Sequence, residues 1–155
     1  MLKLALFLHI VSAIFWVGGM LFLSLVVAPF LKTMPDPRDR SKVYQFVGKK
    51  YRLFGWIAII LLVITGPIIL HGFYGITPSM YFSSTTLSTG FGHALVVKLI
   101  LVAFLLTSSL VHDFFIGPRA RGSKSYSLIA KIFGRGNLIV ALFIIICAVL
   151  IRAGG

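Results

Sequence analysis

Residues 4–31, LALFLHIVSAIFWVGGMLFLSLVVAPFL, run without one charged side chain. About 20 apolar residues in a helix cross the hydrocarbon core of a bilayer, so this stretch is long enough to span one. It follows Met-Leu-Lys and so resembles a secretory leader. A leader's apolar region is only about 7–15 residues long, and three more stretches of the same kind follow, at 54–73, 94–116 and 128–151. The first is therefore read as a retained helix. The expected fold class is an all-α integral membrane protein. It is a single domain, 1–155, forming a four-transmembrane-helix bundle with helices near 4–31, 54–73, 94–116 and 128–151.

Composition agrees. Hydrophobic residues make up 59% of the 155 and charged residues 12%, where a soluble domain carries about a quarter charged residues; mean hydropathy is +1.04. In a soluble chain the net charge of +12 would point to nucleic acid. Here it is gathered into two loops. Lys32, Arg38, Arg40, Lys42, Lys49, Lys50 and Arg52 lie between the first and second stretches, and Arg119, Arg121, Lys124, Lys131 and Arg135 between the third and fourth. The connection from Tyr74 to Gly92 carries no charge. Short basic loops stay on the cytoplasmic side, which places both basic loops inside and both termini outside. The expected location is a bacterial-type cytoplasmic (inner) membrane, crossed several times. Topology and anionic head groups account for the charge, so the lipid bilayer is an expected partner and nucleic acid is not.

The loops carry their own signals. Asp36-Pro37 marks a turn, after which Ser41 is placed to cap a stretch, Lys42–Tyr51, with Val43, Phe46 and Val47 along one face. That stretch is expected in the inner interface, as an amphipathic continuation of the second span. The outer connection, residues 72–86, is rich in aromatics, hydroxyls and turn formers. It reads equally as an aromatic lid over the outer helix ends or as a plain connector.

Much chemistry is excluded by what the chain lacks. Its only acids are Asp36, Asp39 and Asp113. With no carboxylate in the outer half, paired-carboxylate hydrolysis, dinuclear carboxylate metal sites and a Ser-His-acid triad drop out. Cys147 stands alone, so there is no intrachain disulfide and no Cys-x-x-Cys-His for covalent haem attachment. No phosphate-binding Gly-rich loop is present either.

What remains is histidine and one lysine. His9, His71 and His93 all fall near the outer ends of their spans, and ionisable groups inside a membrane are functional candidates by default. In the first span His9, Ser12, Trp16 and Gly19 recur at spacings of three and four, one stripe on one face. Such a polar and small stripe is expected to face a neighbouring helix. His71 lies one turn after Pro67, whose missing N–H permits a kink. His93 follows Gly90-Phe91-Gly92 at the start of the third span. Lys98 sits more than a turn inside that span, where an ammonium costs about 3 kcal/mol unless it snorkels or meets an anion. Lys98, Leu105, Ser109 and His112 share a face, and His93 is rotated away from it. His93 and Lys98 therefore do not point at one spot on a regular helix. His112 and Asp113 close the span on the inner side. Asp113 is expected to pair with Arg119 or Arg121, and His112 reads as an interfacial residue or, with Met20, as a second metal site.

Two motifs resemble a known family. Leu8-His9-Ile10 through Trp16-Val17-Gly18-Gly19-Met20 is similar to the first helix of the copper resistance D (CopD) superfamily, with its histidine followed by Trp-x-Gly-Gly. Thr89-Gly90-Phe91-Gly92 leading to Lys98-Leu99 resembles that family's third helix. The distantly similar HemJ family, membrane protoporphyrinogen oxidases, pairs a first-helix histidine with a third-helix lysine and binds b-type haem. The resemblance implies those roles for His9 and Lys98, with His112 matching a histidine late in the third helix. CopD proteins have more spans than the four here.

Two ligands fit these residues. Copper passage favours soft thioether or thiolate ligands, or a histidine cluster, and Met1, Met20, Met34 and Met80 form no ladder through the bilayer. Haem b needs one or two axial histidines, an apolar slot and a cation for its propionates. His9 with His71 or His93 supplies the metal ligands, Trp16 and 14 phenylalanines the apolar lining, and Lys98 the counter-charge. The expected function is electron transfer or oxidoreduction by a membrane haem protein working with a quinone or periplasmic redox partner. A copper permease using the same histidines is the alternative. Gly18-Gly19 would also suit close helix approach in a homo-oligomer.

Overall fold

The computed structural model describes residues 1–119 and 124–154, without the side chains of Lys124 and Ser127. The described residues are helical apart from short connections, with no strand among them. Four of the helices are long and apolar enough to cross a membrane. The chain is an all-α, multi-pass membrane protein. It divides into two compact units, Met1–Gly75 and Ile76–Gly155.

The first unit is a helical hairpin of α1, the helical run Leu2–Thr33, and α2, Pro37–Tyr74. At about 1.5 Å per residue α2 is roughly 57 Å long, well beyond a core of about 30 Å. Its first turns, with Lys49, Lys50 and Arg52, therefore extend the apolar part of the span. Ser41 does not start this helix. Asp36 is the cap, its carboxylate accepting from the Arg38 N–H at 2.7 Å, with Pro37 in the first turn. A capping aspartate before a first-turn proline makes a helix start rather than a free-standing turn. Ser41 lies inside the helix and accepts from Gln45 Nε2 at 3.1 Å. The helix continues through Pro67 and ends at Gly75, which closes it in the left-handed region at φ 67°.

The second unit begins with a 3-10 turn, Pro78–Met80, and a short helix α3, Ser84–Leu87. The long run α4, Gly90–Arg119, then pairs with α5, Lys124–Ala153. The hydroxyl-rich outer connection is a chain of caps. Ser83 Oγ accepts from the Thr86 N–H at 3.2 Å, and Thr89 Oγ1 accepts from the Gly92 N–H at 3.0 Å while donating to the Thr86 carbonyl at 2.8 Å. Gly92 is pressed against this corner: a Cβ there would land on the Thr86 carbonyl oxygen. Tyr81 is buried, its phenol without a hydrogen-bond partner among the described residues. Burial pushes that phenol up from its ordinary pKa.

The first span of each unit contains a π turn, Leu23–Val27 in α1 and Val111–Ile116 in α4. Each precedes a proline, Pro29 or Pro118. A proline has no N–H for the carbonyl four residues back, and widening the turn re-aims the ladder. The Ala28 N–H reaches the Leu23 carbonyl, and the Gly117 N–H reaches that of His112.

Candidate functional site

The stripe on α1 faces α2, as its spacing predicts. Ser12 and Trp16 are buried. The Tyr51 hydroxyl donates to the Trp16 carbonyl at 2.6 Å. A Cβ on Gly55 would lie 3.8 Å from the Trp16 ring, and one on Gly19 would run into the Tyr51 ring. Small residues let the two backbones close up, as expected for helices packing in lipid.

Toward the outer end of the stripe, His9 Nδ1 lies 2.8 Å from Thr65 Oγ1. The Thr65 hydroxyl donates its single proton to the Leu61 carbonyl at 2.6 Å. It can only accept from the ring, so His9 Nδ1 carries a proton and donates. In the neutral ring Nε2 then holds the lone pair. Thr65 is 3% exposed and His9 half-buried, with a Cβ on Gly66 placed 3.7 Å from the imidazole Cε1. One ring nitrogen pinned by a hydrogen bond while the other carries a lone pair is the arrangement of a liganding or proton-accepting histidine. Thr65 was not legible in the sequence. A threonine in an apolar helix satisfies itself on the carbonyl one turn back, so nothing in the pattern sets it apart.

The other expected site residues are placed differently. His71 is exposed on the last turn of α2, six residues past Thr65, or about 9 Å further along the axis at 1.5 Å per residue. The first hairpin therefore does not bring His9 and His71 to one level. His93 is exposed in the first turn of α4, in the other unit. Lys98 is half-buried on α4. The face it shares with Leu105 and Ser109 does turn toward α5: Leu105 is 2% exposed, and the Asn137 amide donates to Ser109 Oγ at 3.3 Å. Cys147 is buried on α5, the helix that pairs with α4. Among the described residues, no three His, Cys, Asp or Glu side chains gather as a metal-holding group.

In the π turn of α4, His112 Nδ1 pairs with Asp113 Oδ1 at 2.9 Å. Of the arginines expected beside Asp113, Arg119 donates to the Phe115 carbonyl at 2.8 Å, and Arg121 lies outside the described residues. A groove of about 540 Å³ opens in the first unit between Phe15, Gly18, Phe22, Lys50 and Phe54. It lies away from His9.

Asn137 is a second residue the sequence reading passed over. It is buried on α5, and Ser108 Oγ donates to its Oδ1 at 2.6 Å. Ser108→Ala removes that interhelical bond and is expected to cost about 0.6 kcal/mol, at most about 1.7, as such bonds do in membranes. Unfolding of the purified protein in mixed micelles measures it; unchanged stability would show the bond to be idle.

Comparison with known proteins identifies a family. An uncharacterized protein of Aquifex aeolicus (strain VF5) is 39% identical over 155 residues, covering 99% of this chain and 97% of that protein. No solved structure matches the chain. Residues 11–125, which include most of the His9 stripe, Thr65, Lys98 and both π turns, match the model of a domain of unknown function, DUF4149; the chain belongs to the DUF4149 family.

Proposed function

We propose that this is a membrane b-type haem protein for electron transfer or oxidoreduction, with its iron held in the outer half of a bacterial-type inner membrane. The observation that carries the reading is the His9–Thr65 couple. Thr65 fixes the protonated Nδ1, so Nε2 is the nitrogen offered to iron, and an imidazole is the usual axial ligand of such a group. When bound, the haem supplies a one-electron couple at its iron. The chain's own residues orient it: His9 binds, Thr65 holds the ring's tautomer and angle, and Trp16 stiffens the stripe below. Lys98 is the intramembrane residue of the sign that propionates need. The electron partner is a quinone or a periplasmic redox protein.

An optical spectrum tests this directly. Protein purified from haem-supplied cells is expected to show a Soret band that His9→Ala abolishes and His112→Ala leaves in place. No Soret band in either redox state sinks the haem reading. Stoichiometric copper that disappears in His9→Ala would put the copper-handling alternative in its place. A band lost in His112→Ala but kept in His9→Ala would move the iron to the inner side.

A further inference from the structure

The two units repeat each other in the placement of their prolines, π turns and several buried positions. Pro118 lies 89 residues after Pro29, and the π-turn bond from Gly117 to His112 lies 89 residues after the one from Ala28 to Leu23. The same shift sets buried Ala94 on buried Ala5, buried Leu105 on buried Trp16, and Phe104 on Phe15. It also sets Lys98 on His9. For the returning helices the shift is 82: buried Asn137, Ala141 and Cys147 fall on buried Gly55, Ile59 and Thr65. The seven-residue difference between the shifts is two helical turns, so a shorter inner connection preserves the facing sides.

Common periodicity does not explain this. Any two apolar helices share a seven-residue rhythm, but that rhythm places no proline and no π turn. Nor does it make one pair of shifts carry buried positions on both helices of one hairpin onto buried positions on both helices of the other. The positions of the His9–Thr65 bond map onto Lys98 and buried Cys147 on the facing helix. The Ser108–Asn137 bond maps onto Gly19 and Gly55, the small residues where α1 and α2 close together. Each hairpin also turns through a basic stretch, while the connection between them carries no charge, the charge pattern expected of parallel repeats.

We infer that the chain is an internal duplication of one helical hairpin, and that Lys98 and Cys147 form a second intramembrane polar site where the first hairpin carries His9 and Thr65. The two sites have diverged in chemistry. The imidazole can accept a proton or a metal, whereas the ammonium only donates. This inference stands without the haem reading, and its test uses no cofactor.

The site should be transferable. In full-length protein with ¹⁵N-labelled histidine, K98H/C147T is expected to show one new ring with the tautomer of His9: Nδ1 protonated, hydrogen-bonded and slow to exchange. The control I100H/C147T places its ring on the exposed side of α4 and is expected to lack that signature. A K98H/C147T ring matching the control would overturn the equivalence. Should that variant fail to fold, disulfide trapping decides. K98C with native Cys147, and H9C/T65C in a C147S background, are expected to cross-link to a like extent, with I100C and Cys147 at least tenfold slower. Equal trapping by I100C would overturn the shared register.

Discussion

Gly92→Ala is expected to destabilise the protein strongly, although it adds a single methyl group. That methyl would occupy the place of the Thr86 carbonyl oxygen, a backbone atom with no rotamer to yield. The carbonyl is also held by the Thr89 hydroxyl at 2.8 Å, so moving it breaks the cap that starts α4. Overpacking of this kind costs about 1–3 kcal/mol, and with a fixed backbone atom in the way the upper end applies. Gly134→Ala is the control. Its Cβ would meet nothing within 4 Å, and alanine in a helix is favoured over glycine by up to about 1 kcal/mol. Thermal melts of the two variants in one detergent should move in opposite directions; a Gly92→Ala melt no lower than that of Gly134→Ala would refute the close-contact account. The result also bears on the Thr89-Gly90-Phe91-Gly92 motif. Thr89 caps the helix and Gly92 admits the preceding turn, so those two positions are explained by the corner they build, before any ligand is invoked.

The fold was legible because lipid simplifies the code. With every backbone group obliged to bond within its own helix, four apolar stretches could become only helices, and each was found as one, although α2 begins 17 residues before the apolar stretch at 54–73. Helix ends were harder. Asp36-Pro37 signals both a turn and a helix start, and the long amphipathic first part of α2 decided for the start. The π turns were foreshadowed by Pro29 and Pro118, but a proline alone does not say whether a helix kinks, stops or widens. The stripe through His9 and Trp16 and the face through Lys98 and Leu105 followed from periodicity, which fixes direction around an axis. Level along the axis between chain segments does not follow from it. Thus His9 and His71, each near an outer end in the sequence, are offset by about 9 Å in the hairpin. The partners Thr65 and Asn137 escaped notice for a related reason: each becomes polar chemistry only through the helix opposite. The duplication escaped too, because its repeats share positions far more than residue types.

Thr65→Val is the variant that isolates what holds His9. Valine keeps the β-branched shape in a position only 3% exposed, so packing between α1 and α2 is retained, and what is lost is the hydroxyl that accepts from His9 and donates to the Leu61 carbonyl within its own helix. The His9 Nδ1–H, now 2.8 Å from a hydroxyl oxygen, would face a methyl group. Two consequences separate. Without any cofactor, stability is expected to fall by about 0.6–1.7 kcal/mol, the range for an interhelical hydrogen bond in a membrane. With haem, affinity is expected to fall 10–100-fold, the usual effect of removing the group that orients a liganding histidine. Thr65→Ser keeps the hydroxyl and should restore both. Titration of the Soret band reads the second effect and a detergent unfolding curve reads the first. A stability loss with haem affinity unchanged would make the couple a structural bond and move the iron to another histidine. Loss of both, rescued by serine, would tie the fold of the first hairpin to its chemistry through one hydroxyl: the proton that fastens His9 to α2 is also the one that leaves Nε2 to bind.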